Sequence, residues 1–227
     1  MRIARLTSVC ALLVVALLFV TAPSLCAQST APPPAQHRAT STPYSGDLSI
    51  FETEGRDERL HTDGIMKALA ISPGKNVADI GAGSGWFTVR AARRVKSSGM
   101  VYAVDINPEA IKYIENRIRK AQLNNVKTVL GKPGNPELPP DSIDSVLLLK
   151  TYHEVAEPVE LLRNLRSSLR LGARVGIIDR DGNGEDHGVH KQVVLQEAEQ
   201  AGYRLLEEHD NLVVDDHMDY FLVLVVK

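Results

Sequence analysis

Val77-Ala78-Asp79-Ile80-Gly81-Ala82-Gly83-Ser84-Gly85-Trp86 decides how this 227-residue chain is read. A short strand-like run leads into three glycines in Gly-x-Gly-x-Gly spacing, and a helix-forming stretch begins at Trp86. Glycine permits a tight turn and a close approach of backbone to ligand, and the first N–H groups of a helix have no partner inside it. In doubly wound sheets this place, after the first strand, is where ligands bind. The spacing also separates ligand classes. A dinucleotide fingerprint puts its third glycine three residues after the second. Here Gly85 follows Gly83 by two and the large indole of Trp86 comes next, which disfavours a nicotinamide oxidoreductase.

Outward from this loop, strand-like and helix-like segments alternate. Helices are expected at 58–70, 86–95, 108–122, 159–169 and 189–201, and strands at 76–80, 100–105, 126–130, 143–149, 174–179, 203–208 and 220–226. Strands that are apolar on both faces and separated by single helices imply a parallel sheet covered on both sides. Residues 211–219 hold no helix, so the last two strands should pair as a hairpin and add one antiparallel strand at an edge. The expected fold is α/β, a doubly wound, mostly parallel seven-stranded sheet of the Rossmann-like kind. Asp105 closes the second strand, 20 residues after Gly85. A carboxylate there can accept hydrogen bonds from both hydroxyls of a ribose. Capping of the helix that opens at Pro108 is the lesser alternative, and the two roles are compatible.

Composition bounds the class. The chain is 44% hydrophobic and 24% charged, with a net charge of −2, as expected of one globular domain. No basic excess or aromatic platform points to nucleic acid. Residues 1–27 differ in kind: Arg2 and Arg5 without an acid, an unbroken apolar run of 12 residues from Val9 to Val20, then Cys26-Ala27. That is the pattern of a secretory signal, too short to span a bilayer comfortably. Cleavage after Ala27 is expected, an uncleaved membrane anchor being the alternative. Cleavage would remove both cysteines and leave 24 basic against 28 acidic residues, net −4. The exported chain would then be periplasmic or secreted, with no disulfide and no stable membrane span. Residues 28–45, rich in Pro, Ser and Thr, read as a flexible tether before a domain at 46–227.

Residues 56–226 resemble the class I S-adenosylmethionine-dependent methyltransferases, and are similar to the small-molecule group that includes the ubiquinone and menaquinone C-methyltransferases. The resemblance is carried by the stretches 77–88, 101–110, 125–131, 144–149 running into Tyr152-His153-Glu154-Val155, and 171–179. It implies S-adenosyl-L-methionine as cofactor and a small-molecule methyl acceptor. Asp79, Gly81, Ala82, Gly83 and Gly85 would hold the methionine end, Asp105 the ribose, and Ile106 the adenine. Lys150, Thr151, Tyr152 and His153 would line the floor where sulfonium and acceptor meet. Residues 51–56 lie where the family shapes its pocket. One position departs from the family: Lys132 stands where an acid usually accepts the adenine amino group, and lysine has no acceptor. A backbone carbonyl near Pro133-Gly134 would have to serve, or adenine binding is weakened.

Methyl transfer needs a general base only when the acceptor must lose a proton. His153 is the candidate base, because histidine exchanges protons near neutral pH, and Tyr152 is the second candidate. The loop from Asp179 to His190 begins like an EF-hand, with Asp179, Asp181, Asn183 and Gly184. It fails at the twelfth position, where His190 replaces the bidentate glutamate. His187 and His190 are three apart but lack a third ligand fixed by spacing, so no metal is assigned and the loop reads as a polar lid. Two functions follow. One is methyl transfer by an exported enzyme; the other, raised by export away from the cytosolic cofactor supply and by Lys132, is a non-catalytic binding protein that keeps the fold.

Overall fold

In a computed structural model of the chain, residues 38, 40, 44, 46–183 and 186–227 are described, all of them within the compact unit Ala35–Lys227. The expected signal at 1–27 lies outside the described residues, as does most of 28–45. Arg38, inside the expected tether, is held in place. Its guanidinium pairs with Glu197 at 2.9 Å and donates to the carbonyl oxygen of Val155 at 3.1 Å, and its backbone N–H bonds to Ala156.

Among the described residues, seven strands, β1 (Val77–Ile80), β2 (Val101–Asp105), β3 (Val126–Leu130), β4 (Ile143–Leu149), β5 (Leu169–Asp179), β6 (Tyr203–Glu208) and β7 (Tyr220–Val226), form one sheet in the order β3-β2-β1-β4-β5-β7-β6. The pairings from β3 across to β5 are parallel, and β7 runs antiparallel to both β5 and β6. The doubly wound, mostly parallel sheet with a C-terminal hairpin is the expected one. The antiparallel strand lies one position in from the edge, however, with β6 outside it. β7 is buried along nearly its whole length, while β6 is mostly exposed or half-buried. The more apolar strand takes the inner place, where both of its faces are covered.

Among the described residues, six α-helices accompany the sheet: α1 (Arg56–Arg59), α2 (Thr62–Ala68), α3 (Trp86–Val95), α4 (Pro108–Lys120), α5 (Pro158–Arg166) and α6 (Lys191–Gln200). The single helix expected at 58–70 is broken in two at His61, whose φ of 43° lies outside the right-handed helical region. β5 starts earlier than expected, because Leu169 already pairs with Ile143 ahead of a bulge. Strand alternation divides the core. Ala78, Tyr102, Val146 and Leu148 face one apolar cluster with Leu161, Leu162 and Val194, whereas Val77, Val101 and Leu147 face another with Phe87, Ala91 and Val95. Neighbouring strand residues thus feed opposite layers, the arrangement of an α/β/α sandwich.

Candidate active site

The chain leaves β1 for α3 and β4 for α5, so the crossovers depart from adjacent strands to opposite sides of the order. Beyond the carboxyl ends of these strands lies a cleft of about 660 Å³. A crevice at such a switch point is the usual ligand site of a doubly wound sheet.

The glycine loop forms one wall. Gly81, Gly83 and Gly85 have φ of 71°, 53° and 71°, the left-handed region that glycine enters without penalty. At Gly81 a side chain is also barred by space, since a Cβ would stand 2.2 Å from Thr151 Cγ2. Gly85 is the N-cap of α3 and offers no side-chain hydrogen bond to it; in the first turn the Thr88 N–H bonds to the Asp79 carboxylate. Gly85 itself does not line the cleft; a Cβ there would press Ile114 of α4 at 3.2 Å, so its absence lets α4 pack. Trp86 is buried with the guanidinium groups of Arg56 and Arg90 stacked on its ring at 4.6 and 4.0 Å.

Two carboxylates face this wall. Asp79 is buried and accepts from Thr88 Oγ1 at 2.6 Å. Burial pushes its pKa up to about 6, against the Thr88 hydrogen bond and with a contribution from the Asp105 charge. Asp105 accepts from the Gly83 N–H at 2.9 Å through Oδ2 and from the Asn107 N–H at 2.9 Å through Oδ1. The cap of α4 is Asn107, whose side chain accepts from the Glu109 N–H, so Asp105 ties the glycine loop to β2 instead of capping the helix. Each of its oxygens keeps a second lone pair for a ligand hydroxyl. Beyond it Ile106 is an isoleucine 51% exposed on the cleft wall. Lys132 pairs with Glu137 at 3.1 Å and stays largely in solvent.

Ala82, Lys150 and Thr151 also line the cleft, as does His153. Lys150 has φ of 54° and donates its backbone N–H to Ile178 at 2.8 Å, which turns the chain out of β4. In the 3₁₀ turn Tyr152–Glu154 that follows, adjacent side chains diverge. Tyr152 turns into the core: it is fully buried, its hydroxyl donates to Glu197 at 2.9 Å, and it does not line the cleft. Burial and then the Glu197 charge hold its phenol well above the ordinary tyrosine range. The structure therefore brings His153 to the cleft and leaves the other candidate base, Tyr152, behind it.

His153 is 2% exposed, with Nδ1 against Asp179 at 2.8 and 3.0 Å, and its backbone N–H donates to the same carboxylate at 3.0 Å. Asp179 is fully buried at the end of β5. The sequence placed it at the head of a calcium-like loop, whereas the sheet puts it beside β4's exit. Glu154 lies with its carboxylate 3.8 Å from His153 Nε2, and burial raises its pKa against the pull of His153. His187 packs edge-on to His153, with centroids 5.8 Å apart, while His190 bonds instead to Asp181 at 3.1 Å. The pair suggested by spacing is thus divided.

Arg56 and Phe51 belong to the stretch 51–56 expected to shape the pocket, without a role assigned to either; Ser84 carried no expectation of its own. Arg56 is buried on the cleft wall, donates to the Phe51 carbonyl at 2.8 Å and lies close enough to Asp79 to act on its charge. Phe51 lies over the glycine loop, 3.8 Å from the place of a Gly83 Cβ, with Tyr44 edge-on to it at 5.3 Å. Ser84 Oγ is buried on the same wall without a partner among the described residues. The positive-φ loop, the orphaned hydroxyl and the two acids fit an amino-acid-bearing nucleoside such as S-adenosylmethionine.

The comparisons with known proteins agree with this geometry. Residues 71–212 match the family described as "Methyltransferase domain". The chain is 29% identical over 136 residues to the arsenite methyltransferase of Halobacterium salinarum, covering 60% of this chain and 35% of that protein. It is 26% identical over 110 residues to the demethylmenaquinone methyltransferase of a Geobacillus species, covering 48% and 47%. The chain thus spans a third to a half of the length of these relatives. A SAM-dependent methyltransferase from Aquifex aeolicus superposes with a TM-score of 0.71 at 22% identity, covering 81% of this chain and 100% of the other. The chain belongs to the methyltransferase-domain family, and the cofactor that family and fold imply is S-adenosyl-L-methionine.

Proposed function

We propose that this chain is an exported enzyme that transfers the methyl group of S-adenosylmethionine to a small-molecule acceptor bound between Phe51 and His153. The observation that carries the reading is that Asp79, Asp105, the glycine loop and His153 all open on one cleft. The cofactor, when bound, supplies a methyl group already activated on a sulfonium. The chain's own part is positioning, which is the main source of acceleration for such a transfer. Asp79 as carboxylate holds the amino group of the methionine end, and Arg56 beside it faces the carboxyl group. Asp105 takes the ribose hydroxyls and Ile106 covers the adenine. Where the acceptor must lose a proton, His153 Nε2 takes it, with Nδ1–H donating to Asp179 so that the tautomer and ring plane are set. Phe51 and Tyr44 exclude water over the reacting atoms.

Calorimetric titration of the chain with S-adenosylmethionine and S-adenosylhomocysteine tests the cofactor half, with NADH as control. Micromolar binding of both, without NADH binding, is expected. Binding followed by transfer to at least one member of a broad acceptor panel supports the enzyme; binding with no transfer to any supports the retained-fold binding protein, which Lys132 favours. Export is tested by the intact mass of the protein recovered from its native host, expected to begin at Gln28.

A further inference from the structure

On the wall of the cleft, the Glu154 carboxylate stands on the Nε2 side of His153 and the His187 ring lies edge-on to the His153 ring. With Nδ1 committed to Asp179 at 2.8 Å, Nε2, which faces Glu154, is the ring nitrogen left to bind a further group. One ligand atom from each of the three side chains lies within 4.8 Å of the other two. The 3.8 Å between His153 Nε2 and Glu154 Oε1 is too long for a hydrogen bond. It is close to the roughly 3.4 Å that separates two ligands bound about 2.1 Å from one tetrahedral ion.

We propose that His153 Nε2, the Glu154 carboxylate and a ring nitrogen of His187 hold a divalent first-row transition-metal ion of the Zn²⁺ class, its open position turned to the cofactor cleft. Two imidazoles and one carboxylate suit such an ion, whereas Mg²⁺ and Ca²⁺ need more oxygen ligands than this cluster holds. Three protein ligands leave a fourth position free, as in catalytic zinc sites. The bond from His153 to the fully buried Asp179 is the outer contact that orients a metal-bound imidazole and fixes its tautomer. Asp105 and Asp179 both act on Glu154 by charge, so the surroundings are anionic and favour a cation.

The ion's role in catalysis rests on the methyl-transfer reading: it would bind an acceptor hydroxyl or thiol, which then loses its proton to water more readily. His153 in that case holds the metal instead of the proton. Binding of the ion does not depend on that reading.

The test is competition between the chelator-stripped full chain and a chromophoric chelator for Zn²⁺, with Mg²⁺ as control. One equivalent bound at micromolar strength or better is expected, undisturbed by excess Mg²⁺. His187→Ala and Glu154→Gln should each weaken Zn²⁺ at least ~10-fold, and His190→Ala should not. His187 is exposed, so its loss does not threaten the fold. Co²⁺ in place of Zn²⁺ should show the visible bands of a four-coordinate site in the wild type and lose them in His187→Ala. Absence of stoichiometric Zn²⁺ binding, or wild-type affinity in both variants, overturns the site. S-adenosylhomocysteine titration of the same samples separates the two readings. Zinc bound without the nucleoside leaves the metal site standing and removes methyl transfer; the nucleoside bound without zinc removes the metal site alone.

Discussion

Asp105 and Asp79 do different work with the same functional group, and their surroundings say why. Asp105 is fixed by two backbone N–H groups and keeps lone pairs toward the cleft, so it should act as a bidentate acceptor for vicinal hydroxyls. Asp105→Ala removes charge-assisted hydrogen bonds of ~1.5–3 kcal/mol and leaves the Gly83 N–H unpaired. The dissociation constant of S-adenosylhomocysteine should rise at least ~10-fold by calorimetry; an unchanged constant would remove Asp105 from the site. Asp79 carries a pH signature instead. Burial raises its pKa to about 6, and only the carboxylate attracts an ammonium group. Affinity should therefore be flat above pH 6 and fall by up to ~10-fold per unit as pH drops below it. Titrations at several pH values check this, and Asp79→Asn should bind weakly with no such fall.

The glycine loop and the β4 exit work as a pair of elements. Thr151 fills the space beside Gly81 that a side chain would need, and its hydroxyl bonds to the Gly81 and Leu149 carbonyls at 3.3 and 3.2 Å. Gly81→Ala meets both a left-handed φ and a 2.2 Å contact, so either the loop or Thr151 must shift. A destabilisation of ~1–3 kcal/mol is expected in urea melts, with loss of nucleoside affinity. Tyr152 belongs to the packing of the same exit against α6. Tyr152→Phe should lower stability by ~1 kcal/mol through loss of the Glu197 bond, yet leave S-adenosylhomocysteine affinity unchanged. A selective fall in that affinity would return Tyr152 to the site.

Over the whole molecule, the unit Ala35–Lys227 stands on two apolar layers divided by one sheet, and the cleft opens where the sheet reverses its winding. Among the described residues no helix is long and apolar enough to cross a membrane. A ligand that binds only the folded state stabilises it by mass action, by ~2.7 kcal/mol at a hundredfold excess over its dissociation constant. For a domain of this size each kcal/mol moves Tm by roughly 2–4 °C. S-adenosylhomocysteine at that excess should thus raise Tm by roughly 5–10 °C in a thermal melt, and NADH should not.

The order of strands and helices, the parallel sheet and the loop at 77–86 were legible in the sequence, because hydrophobic period and glycine spacing are local properties of the chain. The places of Asp79, Asp105 and Ile106 followed from the same stretches, since strand ends and the loops beyond them fall at one sheet edge by topology. Contacts between distant residues were not legible. Asp179 looked like the start of a cation loop until β5 paired with β4 and set it against His153. His187 was matched with His190 by spacing, and the fold turns it to His153 and Glu154 instead. Arg56 lies 30 residues before Trp86, and only packing stacks the two. Tyr152 and His153 are neighbours in sequence, and a single 3₁₀ turn sends one into the core and the other into the cleft. Local pattern chooses the elements; which side chains meet is settled when burial of both sheet faces brings together segments far apart along the chain.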